Sequence, residues 1–139
     1  MMRKVLIVLS MLCCMLAAEA KIVKTHKAGS PVVTDARPGS GGVFTLVIDS
    51  IDYRPDLTRV YCHINGTPNT AQRIDAVTLT NATRALAATD IDGVEMKHYF
   101  QFEEDGTLAL EIDFAPTSVI RRGSISFVTP LGTYTYNIK

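Results

Sequence analysis

The sequence predicts an all-β fold, a two-sheet antiparallel sandwich, on three observations. From residue 43 onward apolar and polar side chains alternate with a period of two, the spacing of strands that bury one face. Turn-forming residues interrupt that alternation at short intervals, and no window carries an apolar stripe at helical spacing. The 139 residues, 47% hydrophobic with 14 Lys and Arg against 14 Asp and Glu, suit one small domain. This balance excludes a disordered chain. It also excludes a basic nucleic-acid binder, which needs excess positive charge to neutralise phosphates.

Residues 1–20 read as a secretory signal peptide. A basic start (Arg3, Lys4) precedes an apolar run over 5–16, and Ala18-Glu19-Ala20 places small residues where a signal peptidase inspects them, so cleavage is expected after Ala20. As a helix the apolar run rises only about 18 Å, short of a hydrocarbon core of about 30 Å, so no membrane span is expected after cleavage. The rival reading, a lipoprotein acylated at Cys13 or Cys14, needs a small residue before the cysteine, where Leu12 or Cys13 stands. The mature chain then carries 12 basic and 13 acidic residues and keeps Cys62 as its one thiol. No intramolecular disulfide is available to it, so stability rests on a packed core.

Residues 21–42 have the composition of a flexible segment, with Pro31, Pro38 and the cluster Gly39-Ser40-Gly41-Gly42; only 31–34 suit a short edge strand. The sandwich domain is placed at 43–139. Its first strand spans 43–49, with Phe44, Leu46 and Ile48 on one face and Val43, Thr45 and Val47 on the other, a pattern that suits cover on both sides. The second, 58–64, turns Val60, Cys62 and Ile64 inward and Arg59, Tyr61 and His63 outward. Segments 73–79 and 84–89 are a third and a weaker fourth, the latter rich in alanine. A fifth strand is expected over 94–102, with Val94, Met96, His98, Phe100 and Phe102 on its inner face. The turn Glu103-Glu104-Asp105-Gly106 would fold it into a hairpin with 108–114, where Leu108, Leu110, Ile112 and Phe114 point inward. Segments 124–129 and 133–138 pair around Pro130-Leu131-Gly132. Roughly seven to eight such strands without helices indicate an immunoglobulin-like sandwich, without the disulfide and tryptophan of antibody domains.

The order of Pro31-Val32-Val33, 44–53, Leu57-Thr58-Arg59-Val60-Tyr61, Gly93-Val94-Glu95-Met96, 100–106 and Leu110-Glu111-Ile112-Asp113-Phe114-Ala115-Pro116 resembles the small secreted immunoglobulin-like or telokin-like β-sandwich domains of Bacteroidetes. The resemblance covers about residues 30–138. It implies the fold and a periplasmic or secreted address, and it brings no catalytic residues.

The candidates for chemistry are few. A nucleophile elbow, a zinc-protease helix, a Cys-x-x-Cys pair and a Walker loop are absent from the sequence, so no catalytic residues and no cofactor are expected. Cys62 reads as a packed thiol, because its face is shared with Val60 and Ile64. His26, His63 and His98 share no ligand spacing, so no metal site is expected, and His98 beside Met96 reads as a core histidine. Asp90-Ile91-Asp92-Gly93 and Glu103-Glu104-Asp105-Gly106 lack the spacing of a calcium loop and read as turns. Asp49-Ser50-Ile51 resembles the O-glycosylation triplet of secreted Bacteroidetes proteins, with Ser50 as acceptor.

Two functional expectations remain. The first is a non-catalytic module that binds an envelope protein partner through strand edges and loops, a mode that leaves little trace in sequence. The second is a binder of a small ligand, a glycan or a metal, through the outward Tyr61, His63 and Tyr99.

Overall fold

The computed structural model describes residues 21–24, 32–34 and 44–138; the signal peptide expected at 1–20 and the glycine cluster at 39–42 lie outside them. The described residues form twelve strands and no helix. They are β1 (Lys21–Lys24), β2 (Val32–Thr34), β3 (Thr45–Tyr53), β4 (Thr58–Asn65), β5 (Ala71–Arg73), β6 (Ala76–Asn81), β7 (Arg84–Ala87), β8 (Asp90–Asp92), β9 (Tyr99–Gln101), β10 (Thr107–Phe114), β11 (Gly123–Thr129) and β12 (Gly132–Ile138). Among these residues no helix is long and apolar enough to cross a membrane.

One five-stranded sheet has the order β1-β3-β4-β10-β8, a second has β2-β12-β11-β6-β7, and β5 and β9 form a two-stranded sheet of their own. Every pairing is antiparallel. The inward residues of both large sheets join one hydrophobic cluster, which includes Ile51, Val60, Ile64 and Ile112 from the first sheet and Leu79, Ile125, Phe127 and Tyr136 from the second. Burial of this apolar surface drives the two faces together. At its centre Phe44, just before β3, meets Phe127 edge-on at 5.4 Å and stacks on Tyr136 at 6.2 Å.

The alternation in β4, β10, β11 and β12 runs as the sequence predicts, and β11 and β12 close around Pro130-Leu131. Elsewhere the chain departs from the expectation. The outer face of β3 is open rather than covered, with Val47 40% exposed, because β3 belongs to an outer sheet with nothing described above it. Segment 73–79 is two strands, broken where Arg73 forks onto Asp75 at 2.7 and 3.0 Å and the Asp75 N–H bonds Val128 O. Residues 21–24, expected to be linker, pair with β3 as an edge strand, whereas 32–34 pair with β12 as the short edge strand the sequence allows there.

The fifth strand expected over 94–102 is mostly a loop. Gly93 and Lys97 adopt φ of 106° and 64°, left-handed geometry that breaks an extended ladder, and only Tyr99–Gln101 remain as β9. Parity is lost across that turn, so His98 is exposed rather than inward. The hairpin across Glu103-Glu104-Asp105-Gly106 does not form either. β9 pairs with β5, and β10 lies between β4 and β8. Gly106, with φ of 66°, makes the turn that separates them.

Candidate functional site

Two of the three outward side chains named by the sequence, Tyr61 and His63, fall on the exposed face of the first sheet. Tyr61 and His63 sit two apart on β4 and so project from the same face. In register, His63 lies between Val47 and Ala109, Tyr61 between Ser50 and Glu111, and Arg59 between Asp52 and Asp113. β8 adds Asp92 beside Glu111 and Asp90 beside Asp113. The strands thus build a face on which carboxylates stand beside an arginine, a histidine and a tyrosine.

A β-bulge sets the key contact. The register of β3 against β4 shifts between Ile48 and Ser50, so Asp49 is the additional residue. Its carboxylate meets His63 Nδ1 at 3.0 Å. The sequence carries the sign of this bulge, because the inward positions Phe44, Leu46 and Ile48 are followed by Ile51 and Tyr53, one residue out of phase.

Below this row the charges are paired. Arg59 forks onto Asp113, Nε to Oδ1 at 2.7 Å and Nη2 to Oδ2 at 3.0 Å. The hydrogen bond from Arg59 holds the Asp113 carboxyl below its usual range, and the same bond, with the neighbouring Tyr61, raises the guanidinium pKa. Arg54 donates to Asp52 Oδ2 at 2.6 Å. Asp52 is 4% exposed and its Oδ1 accepts no hydrogen bond. Sequence reading overlooks Asp52, since nothing in the alternation distinguishes it from a solvated strand carboxylate.

A groove of about 290 Å³ opens beside Tyr61, lined also by Asp49, Asp92 and Glu111, with Cys62 at its floor. Cys62 is buried and free, and burial, helped by the Asp49 charge, pushes its thiol up to about 12. A thiol of that pKa is neutral and unreactive at neutral pH. Among the described residues no group of three or more His, Cys, Asp or Glu side chains is arranged to hold a metal ion.

Tyr99 is elsewhere. It stands 65% exposed on the two-stranded sheet, under the Arg73 guanidinium at 5.2 Å, and does not line the groove. The structure therefore brings Tyr61 and His63 together and sets Tyr99 on a different sheet. Ser50 lies half-buried in the β3 bulge. Asp90–Asp92 are a strand rather than a turn, and Glu103 to Gly106 are the turn that the sequence predicts. The chain matches no family profile, no curated protein and no solved structure.

Proposed function

We propose that the chain is a secreted, non-catalytic immunoglobulin-like module of the bacterial envelope, of the Bacteroidetes type, that binds a protein partner by adding a strand to an open sheet edge. Strand order supports the immunoglobulin-like assignment. Setting aside β1, β2, β5 and β9, the strands taken in sequence as A, B, C, C′, D, E, F and G lie in the orders A-B-E-D and G-F-C-C′. These are the neighbours of an immunoglobulin sandwich, and Cys62 on the B-like strand is a free thiol where antibody domains carry a disulfide.

The observation that carries the binding reading is the edge formed by residues 84–92. β7 ends one sheet and β8 ends the other, so a single extended segment runs along the same side of both. Its ladder bonds include Ala88 N–H to Val77 O and Thr89 N–H to Asp113 O. Because antiparallel ladders alternate, the N–H and C=O groups of Ala85 and Ala87 point away from β6. Both residues are small and exposed, and no proline, bulge or charge interrupts the run from Ala85 to Thr89. Natural edges are ordinarily blunted by such devices, so an unblunted one is suited to pairing with a partner strand.

Ala87→Pro tests this, since it deletes an outward N–H without touching the ladder to β6. A photo-crosslinker at Ala85 is expected to capture one envelope protein in the parent chain and to lose it in the variant. Thermal stability should stay within about 0.5 kcal/mol. Crosslinking that survives the proline, or none in the parent, overturns the proposal.

A second reading, small-ligand binding, is favoured by the groove beside Tyr61 and by the His63–Asp49 pair at its upper edge. On this reading a glycan would stack on Tyr61, and Tyr99 takes no part. Saturable chemical-shift changes confined to Tyr61, His63 and Glu111 on titration with a glycan would support it.

A further inference from the structure

The arginines among the described residues divide into two groups. Arg54, Arg59 and Arg73 are each matched to a carboxylate within the fold. Arg84, Arg121 and Arg122 take no ion pair among the described residues, and all three are exposed. Their backbone segments meet, although 37 and 38 residues separate the first from the other two along the chain. Arg84 begins β7 opposite Asn81, Asn81 is opposite Gly123, and Ala82 N–H donates to Arg122 O at 3.0 Å. A cavity of about 670 Å³ lies there, lined by Asn81, Ala82, Ser118, Val119, Arg121 and Arg122, without a carboxylate.

The segment that carries Arg121 and Arg122 is held in place by the rest of the fold. Thr117 N–H donates to Thr58 Oγ1 at 3.1 Å, and Ile120 N–H donates to Tyr53 Oη at 3.1 Å. Asn81 Nδ2 donates to Thr117 Oγ1 at 3.0 Å and to Ser118 O at 2.9 Å. Ile120 is buried directly before the arginine pair. These bonds fix the cavity rim before any ligand arrives, so little ordering entropy is spent on binding.

We propose that this end of the domain is a binding site for a phosphate group, held by Arg121 and Arg122 with Arg84 at the margin. Each guanidinium presents a planar fork of N–H donors whose geometry matches two oxygens of a phosphate. Arg121 and Arg122 both line the cavity, whose lining holds no carboxylate, so a phosphate there would meet donors and no competing anion. The cavity falls within the size range of small-molecule sites. The cavity shares no lining residue with the Tyr61 groove, and of the β7–β8 edge only the first residue, Arg84, lies at the cavity margin.

The test is titration of the purified chain with inorganic pyrophosphate, followed by calorimetry and by backbone amide shifts. The expected result is saturable binding with a dissociation constant below about 1 mM, and shifts at 81–84 and 117–123. R121Q/R122Q should weaken binding at least tenfold, while Arg73→Gln, which removes a paired arginine, should leave it unchanged. Unaltered unfolding midpoints in both variants exclude a folding defect. Vesicles of phosphatidylglycerol, set against phosphatidylcholine, identify the source: retention that pyrophosphate competes away assigns the phosphate to a lipid headgroup, and pyrophosphate binding without retention assigns it to a soluble ligand. No saturable binding, binding unaffected by R121Q/R122Q, or vesicle retention that pyrophosphate does not compete overturns the proposal.

Discussion

The Tyr136 hydroxyl donates to the carbonyl of Phe44 at 2.5 Å, and the two rings stack with 9° between their planes. One residue stands just before β3 of the first sheet and the other on β12 of the second, so one pair joins the sheets by ring packing and by a hydrogen bond. Burial pushes the Tyr136 phenol well above its ordinary value, which keeps it a donor at neutral and mildly alkaline pH. Tyr136→Phe keeps the ring and strips the donor from a buried carbonyl. The expected loss is about 1–3 kcal/mol, read as a midpoint lowered by several degrees in thermal unfolding. Tyr99→Phe is the control and should change stability by less than about 0.5 kcal/mol, since its ring is exposed.

Cys62 gives a prediction in both reactivity and pH. Its thiol moves from an ordinary value near 9 up to about 12, so the native chain should resist alkylation at pH 8 and react fully once denatured. The thiol's contribution to stability is complete below about pH 9. Above that the unfolded chain sheds a proton the folded chain retains, and the contribution drains away as the pH rises towards 12. Cys62→Ala should flatten that part of the alkaline stability curve. Rapid labelling without denaturant would show that the β4 thiol is open to solvent.

Sequence reading succeeds where one face of a strand meets one core. In β4, Val60, Cys62 and Ile64 are inward and Arg59, Tyr61 and His63 outward, as alternation requires. It fails at 94–102, where Val94, Met96, Phe100 and Phe102 also alternate. There the apolar residues pack onto the core from a loop, because Lys97 turns left-handed and its N–H bonds Ile74 O. Alternation reports burial, and a loop that lies on a core satisfies burial without a ladder. The candidate site divides in the same way. Tyr61 and His63 follow from parity, and Asp49 follows only if the one-residue phase slip is recognised as a bulge. The approach of the Arg84 segment to Arg121 and Arg122 is invisible along the chain, since it arises through the β6–β7 and β6–β11 pairings.

The Arg59–Asp113 fork makes the fold sensitive to acid. Asp113 titrates below its ordinary carboxylate range in the folded chain because Arg59 bonds its charged form. Its contribution is therefore present above the unfolded carboxylate pKa, about 4, and is lost as the pH falls through the lower folded value. Asp113→Asn should lower stability at pH 7 and remove part of the slope below about pH 4, measured by urea unfolding as the pH is lowered. A variant whose acid slope equals the parent's would show that the fork contributes no pH-dependent stability.

Gly66 is required by a ring rather than by its own backbone angle. Its N–H donates to Gly106 O at 2.8 Å, and Asn69 N–H and Thr70 O bond the backbone of Phe102, so the 66–70 loop wraps that fully buried side chain. A Cβ on Gly66 would fall inside the van der Waals envelope of the Phe102 ring. Gly66→Ala must displace either the ring or the loop, with an expected cost of about 1–3 kcal/mol. Phe102→Leu alone should cost about as much through the cavity it leaves. The two changes occupy the same space, so in the double variant the Leu makes room for the new methyl and the losses should fall short of their sum by at least about 0.5 kcal/mol. Strict additivity in urea unfolding would place the constraint on Gly66 elsewhere, at its hydrogen bond to the Gly106 turn.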